Sequence, residues 1–314
     1  MRFATVDVLH SIAELAELPG PIFLAIGVFD GVHLGHRAVI EHALRAAETS
    51  GGTAVALTFD PHPAAILRPQ QAPALLTSTR HKLRRLAQLG VRHALVVSFD
   101  ASFAATPPEE FIRQLAESAR PLRQICVGEN WAFGKGRKGD LTLLSRLGET
   151  LGFDAIGLPA VAVDGATVSS TVIRSAVEAG DLALAKRMLG RDFSVLGTVA
   201  EGKKLGRTLG FPTANLRPES EQLPPNGVYA VRVAIDGKSL AGIANIGIRP
   251  TVSPQATERV VEVHLFDFSG DLYGQDLEAS LREFIRPEKK FSGLDALRDQ
   301  IAADIAVARR ILTA

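Results

Sequence analysis

The chain has 314 residues, 46% of them apolar and 22% charged, and a formal net charge of +1. That length fits about two domains with real cores, and the charge excludes the global basic excess of a nonspecific nucleic-acid binder. The single cysteine, Cys126, excludes an internal disulfide and reads as a buried thiol; no apolar run is long enough to span a membrane and residues 1–7 lack a signal-peptide core, so a cytoplasmic protein is expected.

The first apolar run, residues 22–28, reads as a short buried strand. It leads into Ala25-Ile-Gly-Val-Phe-Asp-Gly-Val-His-Leu-Gly-His36, where Gly27, Gly31 and Gly35 allow tight turns and close approach to a ligand. A helical pattern begins at about His36 and runs through Ile40, Ala43 and Ala47. His33 and His36 therefore stand where a strand hands over to a helix N-terminus, a favourable place for an anion. Residues 53–58 form the next strand, followed by Thr58-Phe-Asp-Pro-His-Pro63, whose prolines hold Asp60 and His62. A rigid turn capped by the aspartate is the structural alternative.

A helix over 78–89, a strand over 94–99 and a helix from Thr106-Pro-Pro-Glu109 to about residue 119 come next, the last with a capping-box start. A strand over 123–127, a helix over 141–150 and a strand over 154–158 complete the series. This alternation implies a parallel sheet with helices on both faces, and ligands bind beyond the carboxyl ends of such strands. That rule places His33, His36, Asp60 and Gly128 on one edge. Residues 127–140, Val127-Gly-Glu-Asn-Trp-Ala-Phe-Gly-Lys-Gly-Arg-Lys-Gly-Asp140, combine aromatics that can flank a planar ring with Lys135, Arg137 and Lys138, which can meet phosphates. The alternative is a solvated flexible loop. Ser169-Ser-Thr-Val-Ile-Arg174 opens a helix over 170–179, and another over 182–189 follows Gly180. Its hydroxyls and arginine suit a phosphate, or an ordinary N-cap.

From about residue 193 the period changes to two. Strands over 227–236, 259–266 and 277–285, without intervening helices, imply an antiparallel sandwich or barrel, with the domain boundary near 185–192. A last helix over 293–312 carries the stripe Leu294, Leu297, Ile301, Ile305, Ala308 and Leu312, expected to pack on the barrel. Residues 197–207 are glycine-rich and basic. In Gly210-Phe-Pro-Thr-Ala-Asn-Leu216, Thr213 and Asn215 offer neutral oxygens for a hydrated Mg²⁺. Residues 242–251 are read as a strand ending in a glycine–arginine loop. In Val260-Val-Glu-Val-His-Leu-Phe266, alternation puts Val261, Val263 and Leu265 on one face and Glu262 and His264 on the other. A carboxylate there is costly unless paired or functional. Glu262 fits a general base acting on a hydroxyl, with a surface salt bridge as the alternative.

Together with Asn245-Ile-Gly-Ile-Arg-Pro-Thr251 and Arg286-Pro-Glu-Lys-Lys-Phe291, these stretches stand in one order over nearly the whole chain. In that order the chain resembles the prokaryotic bifunctional riboflavin kinase/FMN adenylyltransferases, also called bifunctional FAD synthetases. The resemblance implies an α/β + β architecture. An N-terminal Rossmann-like nucleotidyltransferase domain (1–187) would precede an antiparallel β-barrel riboflavin kinase domain with a terminal helix (188–314). The second would phosphorylate riboflavin with ATP to FMN; the first would join FMN to the adenylyl group of ATP, giving FAD and pyrophosphate. Both would use Mg²⁺ on small-molecule substrates, with no nucleic-acid or membrane partner, in a monomer or weak homo-oligomer.

By the same resemblance, His33, His36 and Arg174 would act in adenylyl transfer, with Gly27, Phe29, Asp30, Gly31, Gly35, Ser169, Ser170 and Thr171 around ATP. Asp60, His62, Asn130, Phe133 and Arg137 would hold the flavin there. In the kinase, Glu262 would be the base and Thr213 and Asn215 would hold Mg²⁺ and ATP, with Gly202, Lys203, Gly206 and Arg207 on the nucleotide. Asn245, Arg249, Arg286, Glu288 and Phe291 would contact riboflavin. The chain departs from the family pattern at Val172, where an arginine is common, at Trp131, where phenylalanine is common, and at Ala132, where a polar or basic residue is frequent.

Overall fold

The computed structural model describes residues 5–200, 210–220, 222–235, 238–250 and 257–313, with the side chains of Arg249, Pro250, Thr257 and Glu258 excepted. The described residues fall into two compact units, one of residues 5–73 and 78–170, the other of 74–77 and 171–313.

In the first unit the elements are β1 (Asp7–Leu9), β2 (Ile22–Ile26), α1 (Leu34–Ser50), β3 (Thr53–Asp60), α2 (Pro63–Leu67), α3 (Thr79–Gln88), β4 (His93–Ser98), α4 (Ala101–Ala104), α5 (Pro108–Ser118), β5 (Leu122–Gly128), α6 (Leu141–Leu151) and β6 (Asp154–Leu158). The strands form one sheet in the order β1-β4-β3-β2-β5-β6, every pair parallel. Ile22, Leu24 and Ile26 of β2 pack on one side with Phe111, Ile112 and Leu144 of α5 and α6. Phe23 and Ala25 pack on the other with Val39, Ile40 and Ala43 of α1 and Leu86 of α3. Burial on both faces is why these strands read as unbroken apolar runs. The chain builds outward from β2 through β3 and β4, then from β5 through β6 on the other side, so the switch point lies between β2 and β5. Crevices of this kind take ligands.

Two local expectations are corrected. The capping box at Thr106 does not form: the cap position is Pro107, which has no side-chain acceptor, and α5 relies on Pro108, Glu109 and Glu110 in its first turn. The three-residue edge strand β1 was not anticipated, being too short to show a period. A two-stranded hairpin, β7 (Ala162–Val163) with β8 (Ala166–Thr167), leads out of the unit.

After residues 74–77, the second unit takes up α7 (Ser170–Ala179) from Thr171 and then α8 (Leu182–Leu189). It continues as β9 (Ser194–Ala200), β10 (Ala214–Pro218), β11 (Gly227–Ile235), β12 (Lys238–Pro250), β13 (Thr257–Leu265), β14 (Asp276–Arg286) and α9 (Leu294–Thr313). The six strands close into an antiparallel barrel, β10-β13-β12-β11-β14-β9, with β9 and β10 completing the ring. Residues 245–250 are not a loop: β12 runs through them, paired with β13 as far as Pro250 opposite Thr257. Ile301, Ile305, Ala308 and Leu312 of α9 pack on Val228, Ala230, Ile243 and Phe266. Leu294, expected in that stripe, is 56% exposed. It opens the helix, and the packed stripe starts later. Among the described residues no helix is long and apolar enough to cross a membrane.

Candidate active sites

At the carboxyl end of β2 the backbone turns through Phe29, Gly31 and Val32, all at positive φ (53°, 81° and 41°). Only Gly31 adopts such a φ without strain; a β-branched residue there is strained, a feature that clusters at ligand sites. Gly27 is needed for another reason: a Cβ there would come within 2.6 Å of the Phe29 ring. His33 is the N-cap of α1, its Nδ1 accepting the His36 amide at 3.3 Å. A proton on His33 then belongs on Nε2. The His33 and His36 rings stack with centroids 3.5 Å apart, and Phe29 meets His36 edge-on at 5.3 Å. Ser170 Oγ donates to the Asp30 carbonyl at 2.9 Å. Thus Ser170, from the serine motif, meets the first glycine loop 140 residues earlier in the chain. Arg174 lies one turn further along α7, and its Nε donates to the Ala74 carbonyl at 2.7 Å.

Asp60 ends β3 and is exposed. The residue that caps the next helix is His62, not the aspartate: its Nδ1 accepts the Ala64 amide at 3.1 Å. After β5, the loop expected to be either functional or merely solvated proves tightly built. Phe133 pairs with Gly139, Glu129 accepts the Ala160 amide at 3.0 Å, and Asp140 caps α6 at 2.8 Å from the Leu143 amide. Phe133 is buried against Phe111 and stacked on Trp131 at 4.3 Å, so it is a packing ring that backs the more open Trp131. Asn130, Lys135, Arg137 and Lys138 are exposed.

One residue of this edge was missed. Lys82, on α3, is 4% exposed. Its Nζ donates to Thr58 Oγ1 at 3.1 Å, and that hydroxyl donates to the Val28 carbonyl at 2.9 Å. Burial pushes its pKa down to about 8, against the opposing pull of Asp30 and Asp60.

In the barrel, register builds a second site. Asn215 of β10 stands opposite Glu262 of β13, Glu262 opposite Asn245 of β12, Asn245 opposite Val228 of β11, and Val228 opposite Arg286 of β14. Val261, Val263 and Leu265 are buried, as alternation required, while Glu262 faces a cavity of about 220 Å³. Its lining joins Thr213, Asn245, Glu288 and Phe291 to Leu297, Ile301 and Asp304 of α9. Asn245 Nδ2 donates to Glu288 Oε1 at 3.2 Å. A second cavity, about 480 Å³, is lined by Val199, Ala214, Val263, Phe268 and Tyr273 and shares Thr213 with the first. His264 holds that border: Nδ1 lies 2.8 Å from the Pro212 carbonyl and its ring meets Phe211 edge-on.

Arg286 is clamped by Asp304, which is 2% exposed: Nε lies 2.9 and 3.0 Å from its two oxygens and Nη2 lies 2.7 Å from Oδ2. Nη1 donates to the Pro287 carbonyl. Arg286, expected on the flavin, is thus committed first to tying β14 to α9. Asp304 was missed although it interrupts the stripe between Ile301 and Ile305.

Residues 16–172 match the FAD synthetase family and residues 189–312 the riboflavin kinase family. The chain is 41% identical over 303 residues to the bifunctional riboflavin kinase/FMN adenylyltransferase of Escherichia coli strain K12, covering 96% of each chain. The chain belongs to the bifunctional riboflavin kinase/FMN adenylyltransferase family. The relative of that name from Pseudomonas fluorescens is 38% identical over 286 residues, 91% of each chain. A crystal structure of a Streptococcus pneumoniae protein named as a macrolide-efflux protein superposes with a TM-score of 0.82 at 29% identity, over 97% of this chain and 99% of that one.

ATP-dependent kinases and adenylyltransferases of this family's kind generally need a divalent cation. Among the described residues no cluster of three His, Cys, Asp or Glu side chains forms a cage for one. The hard neutral oxygens of Thr213 and Asn215, with Glu262 across the ladder, instead fit a cation that takes its remaining ligands from phosphates and water. Gly202, Lys203, Gly206 and Arg207 lie outside the described residues, as does the side chain of Arg249.

Proposed function

We propose that the family's two reactions are divided between the halves of this chain, with FMN adenylyltransferase in residues 1–187 and riboflavin kinase in 188–314. In the kinase, the Glu262 carboxylate accepts the proton of the ribityl 5′-hydroxyl as that oxygen attacks the γ-phosphorus of ATP. Riboflavin occupies the cavity beside Glu262, its ring against Phe291, Leu297 and Ile301, with Asn245 and Glu288 offering polar contacts. Arg286 fixes that wall and Arg249 lies on the same strand as Asn245. ATP occupies the neighbouring cavity, with Gly202, Lys203, Gly206 and Arg207 as its further contacts. Thr213, at the border, and Asn215 hold Mg²⁺, which when bound neutralises phosphate charge.

In the adenylyltransferase, the FMN phosphate attacks the α-phosphorus of ATP and pyrophosphate leaves. The amides at the start of α1, with His33 and His36, stabilise charge developing on the phosphate oxygens. Gly27, Phe29, Asp30, Gly31 and Gly35 shape that loop, and Ser169, Ser170, Thr171 and Arg174 form its second phosphate motif. Asp60, His62, Asn130 and Arg137 hold FMN, and Phe133 backs Trp131 against its ring. The protein acts in the cytoplasm on ATP, riboflavin and FMN, as a monomer or weak homo-oligomer.

The observation that carries the reading is the Asn215–Glu262–Asn245 row beside a cavity that shares Thr213 with a second one. The test is a time course of riboflavin, FMN and FAD with purified protein, ATP and Mg²⁺. FMN should rise and then convert to FAD. FMN without FAD removes the adenylyltransferase half of the reading, and neither product removes both halves.

A further inference from the structure

We propose that Lys82 is a positioning residue for adenylyl transfer: its ammonium, packed under the loop that follows β2, offsets Asp30 and Asp60 so that this edge of the sheet accepts polyphosphate. The inference rests on reading this unit as the adenylyltransferase.

Two carboxylates stand where an anion must bind. Asp30 is 2% exposed and lies within the glycine loop itself, while Asp60 ends the adjacent strand. Without a compensating cation both would repel an incoming polyphosphate, the buried Asp30 more than the exposed Asp60, because low local dielectric strengthens repulsion. Lys82 reaches them from α3 below. Its ammonium is held by Thr58, which is in turn anchored to the carbonyl of Val28, one residue before the loop's first positive-φ position. The charge therefore sits at a fixed point under the backbone that would cradle the phosphates.

A purely structural role fits poorly. Burial of the ammonium opposes its charged state more strongly than Asp30 and Asp60 favour it, so the fold is held in spite of this charge. An apolar side chain would pack at least as stably beside Leu86, as it does for many buried ion pairs. The groups that face Lys82 are Asp30 from the loop after β2 and Asp60 and the neutral Thr58 from β3. His81 and Arg85 are buried on its own helix, and His33 and His36 stand at the start of α1 on the same edge.

The experiment measures kcat/KM for ATP in adenylylation of supplied FMN, with riboflavin phosphorylation by the same protein as the internal control. Lys82→Met should lower that kcat/KM by about tenfold or more, leave the kinase rate unchanged, and leave the thermal midpoint unchanged or raised. The wild-type kcat/KM should fall as pH rises through about 8, and the variant should lose that limb. An unchanged kcat/KM in Lys82→Met overturns the proposal. So does a lowered thermal midpoint with both activities reduced, which marks a structural strut. Failure of the wild type to form FAD from FMN would instead defeat the underlying reading of the unit.

Discussion

In the parallel-sheet unit the residues proposed to surround an anion come from the ends of strands. His33 and His36 follow β2, Asp60 ends β3, and the 128–140 loop follows β5. In the barrel the proposed site residues stand opposite one another on neighbouring strands, as a row running from Asn215 through Glu262, Asn245 and Val228 to Arg286, the last residue of β14. The first site is made of backbone amides, a helix terminus and strained turns, and its side chains serve to shape that backbone. The second is made of side chains on a hydrogen-bonded ladder that cannot shift without losing register. The two therefore fail differently. Backbone intrusion damages the first, and deletion of a single functional group damages the second.

The largest effect should come from the barrel row. Glu262→Ala should slow riboflavin phosphorylation by about 10²–10⁴-fold, while conversion of supplied FMN to FAD persists. Loss of both activities, or of neither, would break the contrast between the units. Next comes the buried charge under the strand-end site. Between pH 8 and the ordinary lysine value of 10.5, the unfolded chain keeps a proton on Lys82 that the folded chain has released. Stability of that unit should therefore rise with pH across this window, by up to about 3 kcal/mol from this group. Denaturant titrations at pH 8 and pH 10 test it, and Lys82→Met should lose that increment.

Asp304→Ala should cost the barrel unit about 3 kcal/mol, because it strands Arg286 without its buried partner. The expected readout is a lower denaturation midpoint for that unit, with FMN adenylylation retained below the transition. Gly27→Ala probes the other side of the comparison: its Cβ meets the Phe29 ring, and overpacking of this kind costs about 1–3 kcal/mol. FAD formation should fall while FMN formation holds. The smallest signal is a null. Burial pushes the Cys126 thiol up to about 12, so a thiol reagent at pH 8 should label the denatured chain and leave the native one untouched.

Legibility followed the same divide. The placement of the strand-end loops was readable because strand, glycine turn and helix start are contiguous, and the carboxyl-edge rule gathers such loops without further information. The alternation around Glu262 was readable because period two is local. Lys82 was not, because α3 is strongly cationic (Arg80, His81, Lys82, Arg84, Arg85) and composition alone assigns such a helix to solvent. Asp304 left a signal, a carboxylate inside an apolar stripe, but its meaning depended on Arg286 standing opposite. The capping box at Thr106 misled because two prolines displaced the helix start.

The sequence by itself determined the alternation of strands and helices, the change of period after residue 193, the helix start at the paired histidines and the inward and outward faces of β13. Each depends on residues within a few positions of one another. Periodicity left the late strands open between a barrel and a sandwich; the resemblance implied a barrel, and the pairing of β9 with β10 closes it. Tertiary structure alone decided that Asn215, Glu262 and Asn245 form one row, that Asp304 holds Arg286, and that the ammonium of Lys82 is buried on Thr58 within the field of Asp30 and Asp60. Those facts are set by cross-strand register and by which helix face is buried. Both are settled only when the whole core packs at once.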